Sequence, residues 1–259
     1  MNADPPKLSA CIIAFNEEDR IGDCLRSLEF CDEVVVVDSH SIDGTRELAA
    51  ELGARVIERD WPGHVAQKEF TIRQATHDWV FCIDADERVS EALRDEILAL
   101  GGQDFEAHAG FRMPRCSRYL NRYLRHGSWY PDRQLRLFDR RRGHWGGHDP
   151  HDRVVLDGAI GNFRGDLLHH PYRSFAEHLG TIDNYTTVMA QSLVKQGKQA
   201  GLRHIVLNPA WRFFRVLVLK HGFLDGWRGL VMAYLEAYYT RLKYTKLYIA
   251  QRQDTDETL

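Results

Sequence analysis

Four short apolar runs alternate with helix-like segments through the first hundred residues. This alternation constrains the fold more than any other feature of the chain. Residues 8–14, 33–38, 54–58 and 79–83 read as strands, and the second contains Val34, Val35, Val36 and Val37 in sequence. Short apolar stretches rich in Ile and Val, such as residues 8–14 and 34–37, suit buried strands. Residues 18–28, 46–52 and 63–75 read as helices, with Asn16 expected to cap the first and Gly53 to stop the second. Strand–helix repeats with such short connections predict an α/β fold around a parallel, Rossmann-like sheet flanked by helices. A further helix is expected over 90–100, ended by Gly101 and Gly102.

The texture changes near residue 105. Strands are expected at 110–115 and 134–138, with an Arg- and aromatic-rich loop between them. The Gly- and His-rich stretch 143–152 reads as a flexible loop, and everything after about 174 as helices. Asn208 followed by Pro209 predicts a helix start. The expected organisation is therefore 1–104, 105–173 as the second half of the same domain, and a C-terminal helical extension over 174–259.

The chain has 259 residues and 44% hydrophobic content, enough for one large α/β domain or for a domain with an appendage. The formal net charge of −3 points to no nucleic acid partner. Five cysteines (Cys11, Cys24, Cys31, Cys82, Cys116) form no CxxC pair, and several fall in apolar strand patterns, as small buried hydrophobes in a reducing compartment do. Residues 1–10 lack the basic and apolar regions of a secretory leader, and no run reaches the ~18 apolar residues of a membrane span.

Ligands bind open parallel sheets at the carboxyl ends of the strands. Those ends carry Ala14-Phe15-Asn16-Glu17, Asp38-Ser39, Glu58-Arg59 and Asp84-Ala85-Asp86. Two carboxylates one residue apart at the end of a buried strand are costly unless a cation meets them. A hard divalent ion shared with substrate phosphates meets that need. A lone DxD triplet is a weak signal, but here three other strand ends also carry polar groups. No GxGxxG follows the first strand and no GxxxxGK[ST] exists, so neither a dinucleotide fingerprint nor a P-loop is present. Asp38 suits a bond from a base N–H or a ribose hydroxyl, or equally the bracing of its own loop. Lys68 suits a base carbonyl or a phosphate, or simple solvation on its helix.

The combination of Ala14-Phe15-Asn16-Glu17-Glu18, Val36-Val37-Asp38-Ser39 with Asp43-Gly44-Thr45, Gln67-Lys68 and Asp84-Ala85-Asp86-Glu87 resembles the inverting glycosyltransferases of family 2, which have the GT-A fold. Three later pieces resemble the lipopolysaccharide-core β-glycosyltransferases within it. They are residues 126–132 (HGSWYPD), 134–138 (QLRLF) and 222–227 (GFLDGW). The resemblance implies a nucleotide-sugar site of Ala14, Asn16, Glu17, Asp38, Lys68, Asp84, Ala85 and Asp86. Asp38 and Lys68 would contact the uracil end of a UDP-sugar. Asp84 would lie near ribose and metal, and Asp86 would ligate Mg²⁺ or Mn²⁺ directly. It implies glucose as donor sugar and an inner-core heptose as acceptor.

Inverting transfer needs a carboxylate to take the acceptor's proton. The Glu-Asp pair usual in family 2 is missing. Asp152 stands where the narrower branch carries a His-Glu step and is the expected base, with Asp132 as the alternative. His148 and His151 are further candidate metal ligands. Ten arginines between Arg112 and Arg142 meet only Asp132 and Asp139 as acidic company. Arginine forks suit phosphate and carboxylate, so Trp129, Tyr130, Arg133 and Arg136 are expected to bind a lipid-linked saccharide acceptor. The C-terminal aromatics with interleaved Arg and Lys suit either an anionic membrane surface or packing on another part of the protein or a second copy. The expected location is the cytoplasmic face of an inner membrane. Two rival readings are a sugar-nucleotide nucleotidyltransferase, which should carry a Gly-rich loop after the first strand, and a non-catalytic adaptor on a transferase scaffold.

Overall fold

A computed structural model describes residues 4–148 and 151–256. Side chains at 148, 151 and 253–256 lie outside that description, and so do the candidate roles of His148 and His151. The chain forms two compact units, 1–116 with 132–169, and 117–131 with 170–259. These boundaries cut across the expected segments, because the aromatic loop 117–131 belongs with the helices.

The first unit opens with β1 (Leu8–Ala14), α1 (Glu18–Arg26), β2 (Glu33–Asp38), α2 (Thr45–Glu51), β3 (Arg55–Glu58), α3 (His64–Gln74) and β4 (Trp79–Asp84). Short β5 (Glu87–Val89), α4 (Glu91–Leu98) and α5 (Gly102–Ala107) lead to the long β6 (Gly110–Tyr119). Then come β7 (Arg122–Tyr123), β8 (Asp132–Asp139), β9 (Gly143–His148), β10 (His151–Leu156), β11 (Ile160–Asn162) and β12 (Leu167–His169). The sheet order is β3-β2-β1-β4-β8-β6-β12-β5, with β11 beside β6. β1, β2, β3 and β4 are parallel as expected, and β8 joins β4 antiparallel. The resulting mixed sheet carries helices on both sides of a core in which Ile12, Val36, Phe81 and Leu137 are fully buried. Each such side chain contributes roughly 1.5–3 kcal/mol of hydrophobic stabilisation.

Three local expectations are corrected. Asn16 does not cap α1. Its backbone is left-handed (φ 55°), a conformation Asn tolerates, and its Oδ1 accepts from the Ile42 amide instead. Residues 143–156 form a hairpin, not a loop: Trp145 pairs with Val154 across it. Trp145 is buried against Phe138 and Val80, and that anchor outweighs the local Gly content. Asn208 does not start a helix either.

In the second unit, α6 (Phe175–Lys195) begins at a Ser174 cap whose hydroxyl accepts from the Glu177 amide. α7 (Leu202–Phe214) begins two turns before Pro209, which lies inside it, and continues into a wider turn over 215–219. α8 (Trp227–Asp256) runs for 30 residues. Tyr119, Leu124, Ile182, Met232 and Leu235 form this unit's own core. Among the described residues no helix is long and apolar enough to cross a membrane.

Candidate active site

The carboxyl ends of β1, β2 and β4 hold the predicted residues, as parallel-sheet topology dictates. Asp38 ends β2 fully buried. Its two oxygens accept from the Ser41 amide (2.7 Å) and the Ser41 hydroxyl (2.5 Å). Ser41 in turn accepts from the Asn16 amide, and Thr45 Oγ1 from the Glu17 amide. Asp38, Asn16 and Glu17 therefore order the loops after β1 and β2 as one bonded unit. Gln67 of α3 reaches this end of β2, donating to Ser39 Oγ at 3.1 Å. Its Oε1 is buried without a hydrogen-bond partner among the described residues. The sequence alone gives Gln67 no role of its own.

Lys68, one residue on, lies elsewhere. Its Nζ is 2.9 Å from Asp84 Oδ1 and 2.9 Å from Asp152 Oδ2, and it sits 4.7 Å over the Trp145 ring. Burial pulls its pKa down, but Asp84 and Asp152 outweigh that and hold it above the ordinary value. The hairpin explains the meeting. Trp145 packs beside α3, and its amide donates to Glu69 Oε2 at 3.0 Å. Asp152, on the returning strand, comes within reach of Lys68.

Asp84 is thus held by two cations. Arg136 Nη2 donates to its other oxygen at 2.8 Å and to Glu87 Oε1 at 2.9 Å. Burial alone would raise the Asp84 pKa; Arg136 and then Lys68 reverse this and hold it well below the carboxylate range. Glu87 is fully buried, accepts from the Asp84 amide, and is also approached by Arg115 at 3.3 Å. Arg136, expected to face an acceptor, is instead only 4% exposed. The pairing of Leu137 with Phe81 sets it beside the end of β4, where it neutralises two buried carboxylates. Arg133 remains exposed, donating to the Phe163 carbonyl at 3.2 Å.

Asp86 has a different setting. His169 Nε2 lies 3.4 Å from its Oδ2, and Arg20 lies 3.9 Å away while making a two-nitrogen bond to Glu17. Burial and the neighbouring Asp84 raise the Asp86 pKa, and His169 together with Arg20 outweighs them, leaving a lowered value. The antiparallel β5–β12 ladder pairs His169 with Glu87 and so brings the imidazole next to Asp86. The arrangement fits a divalent ion. A carboxylate and an imidazole converge, whereas both oxygens of Asp84 are engaged by Lys68 and Arg136. Among the described residues no group of three His, Cys, Asp or Glu side chains could hold a metal alone. The remaining ligands would therefore come from a substrate diphosphate. Ala85 between the two aspartates is buried in the core. His169 was not singled out as a ligand from sequence. The available signal was a histidine closing a strand-like run, but the ladder that brings it to Asp86 joins segments about 80 residues apart.

The two candidate bases differ. Asp132 receives Arg115 Nε and Nη2 on one oxygen (2.9 and 2.6 Å) and Gln134 on the other (2.8 Å). Asp152 is half-buried and its single hydrogen bond is to Lys68, which leaves Oδ1 open among the described residues. Trp129 and Tyr130 belong to the second unit. There Trp129 meets Tyr119 edge-on at 5.5 Å, and Arg125 lies 5.7 Å over Tyr130.

A mixed sheet of this order, flanked by helices, is the architecture of the GT-A glycosyltransferases. The chain belongs to that class: the profile described as Glycosyl transferase family 2 matches residues 9–160. Over 97% of its length and 97% of the relative's, the chain is 33% identical to the lipopolysaccharide core biosynthesis glycosyltransferase LpsC of Rhizobium meliloti. It is 31% identical to an uncharacterized glycosyltransferase of Rickettsia felis over 93% of this chain and 89% of that one. Among solved structures, the mannosyltransferase PcManGT of Pyrobaculum calidifontis, in complex with GDP-Man and Mn²⁺, superposes with a TM-score of 0.55. That match has 15% identity and covers 95% of this chain and 90% of the other.

Proposed function

We propose that this glycosyltransferase moves a hexose, glucose by preference, with inversion from a UDP-sugar to a heptose of the lipopolysaccharide inner core. The observation that carries the chemistry is the convergence of Asp86 and His169 across 3.4 Å at the end of β4. A Mg²⁺ or Mn²⁺ held there would offset the charge that develops on the leaving diphosphate. Lys68 and Arg136 fix Asp84 in its ionised form beside it. Asp152, with an oxygen open, takes the proton of the attacking hydroxyl. Lys68, 2.9 Å from its other oxygen, orients that carboxylate. Asp38, buried and bonded to Ser41, serves the base and ribose end of the donor by bracing the loops after β1 and β2. The acceptor assignment is supported by full-length similarity to LpsC.

The second unit supports docking on the cytoplasmic face of an anionic membrane. Trp211 and Trp227 are each 57% exposed, and Phe214, Leu219, Phe223, Leu224 and Leu230 are exposed with them. Arg215, Lys220 and Arg228 are interspersed, and basic residues near an anionic surface contribute roughly 1 kcal/mol each. A second copy of the chain is the competing occupant.

Isothermal titration of UDP tests the donor site. The parent should bind UDP at least ~10-fold more tightly with Mn²⁺ than with EDTA. Asp86→Asn and His169→Ala should bind equally weakly in both. UDP binding indifferent to metal in the parent would remove the metal from the reading. Absence of UDP binding would remove the donor.

A further inference from the structure

The second unit contains a cavity of about 300 Å³, the low end of the range for small-molecule sites. Its walls are aromatic: Trp129, Tyr172, Tyr185 and Tyr239 line it with the Arg212–Glu236 pair. The rings are held in place. Tyr172 stacks on His178 at 4.2 Å and 16°, and Trp129 lies 6.2 Å from Tyr172. The hydroxyls of Tyr172, Tyr185 and Tyr239 make no hydrogen bond among the described residues, so three donor–acceptor groups around the space are left to solvent or a ligand. Tyr172 and Tyr239 remain protonated, since burial pushes the first up to about 12 and raises the second.

The charges in the cavity cancel. Arg212 Nε and Nη2 lie 2.9 and 2.6 Å from Glu236 Oε2, and Ser128 donates to Glu236 Oε1 at 2.8 Å. Burial lowers the His178 pKa to about 4, so the ring is neutral at physiological pH, and its Nδ1 is 2.9 Å from the Tyr119 hydroxyl. An anion would find no net positive charge here. An acyl chain would leave the tyrosine hydroxyls and the ion pair facing hydrocarbon without compensation. A neutral polyol with apolar C–H faces matches both features, because aromatic rings pack on its faces while hydroxyls meet Tyr, Glu and Arg groups.

We propose that this cavity is a saccharide subsite for one neutral pyranose ring, separate from the donor site and carried wholly by residues 117–131 and 170–259. It rests on the reading that the enzyme handles a glycan acceptor, for which the subsite would hold a ring other than the one receiving the sugar.

The test is binding to the full-length protein saturated with UDP and Mn²⁺, so that the donor site is filled. Methyl heptoside, methyl glucoside, glucose 6-phosphate and decanoate are compared by saturation-transfer NMR and calorimetry. Tyr185 is 45% exposed, so Tyr185→Ala should fold normally. Glu236→Gln keeps the shape and removes the charge. The neutral glycosides should bind the parent and lose about tenfold or more in affinity in both variants, while UDP affinity is unchanged. Decanoate or the sugar phosphate binding in preference would overturn the saccharide assignment. So would neutral glycoside binding that both variants retain, or no glycoside binding at all. Loss of UDP binding in the parent would instead count against the transferase reading.

Discussion

Replacing Arg136 with Met should destabilise the protein in a pH-dependent way. The guanidinium is 5% exposed and joins Asp84 Oδ2 at 2.8 Å to Glu87 Oε1 at 2.9 Å. Removing one partner of a buried pair costs about 3–5 kcal/mol, because the remaining charge is left uncompensated. Each carboxylate here keeps a second partner: Asp84 keeps Lys68, and Glu87 keeps Arg115. The low end, about 3 kcal/mol, is therefore expected. For a chain of this size that lowers Tm by roughly 6–12 °C. The Asp84 pKa is depressed in the folded state, so its contribution is fully present above the unfolded value of ~3.9 and is lost progressively as pH falls from there through the lower folded value. Parent and variant should differ most at pH 6–8 and converge as pH falls below about 4. Differential scanning fluorimetry across that range reads both effects. An unchanged Tm at pH 7, or a deficit that does not shrink at all as pH falls from 5 to 2, would refute the reasoning and return Arg136 to the surface role expected from sequence.

Asp152→Asn should retain UDP affinity and lose transfer by ~10²–10⁴-fold, measured as single-turnover rates. If Asp132→Asn shows that loss and Asp152→Asn stays nearly active, the base is Asp132. Lys68→Met should leave Asp84 with Arg136 alone and release Asp152, lowering kcat more than it weakens UDP binding. Equal losses in both would place Lys68 on the nucleotide. Substituting Ser for Trp211, Phe214 and Trp227 together should abolish flotation with anionic vesicles at low salt while the protein stays folded. Aggregation of the parent into dimers through that face, with no vesicle binding, would favour a second copy as its occupant.

The central sheet was legible because β1, β2 and β4 are largely buried, so their apolar runs needed no tertiary information. All four parallel strands fall within a residue of the expected bounds. The hairpin over 143–156 was not legible. Its Gly and His content reads as loop, and only the burial of Trp145 against β4 and β8 makes it sheet. Pro209 misled in the opposite sense, since local preference favours a start where tertiary packing continues the helix. In the site, Asp84, Asp86, Lys68 and Asp152 were visible as residues, but their division of labour was not. Which carboxylate is engaged by a guanidinium and which meets an imidazole depends on Arg136 and His169. Both arrive from strands formed by antiparallel pairing, which no local pattern announces.

The most direct test of the account is the transfer reaction itself. UDP-glucose labelled at the anomeric carbon is incubated with a heptose-terminated lipid A core acceptor and Mn²⁺, and the product is examined by NMR. The account predicts a β-linked glucosyl product, abolished by EDTA and by Asp86→Asn. An α-linked product, or full activity in Asp86→Asn, would contradict it.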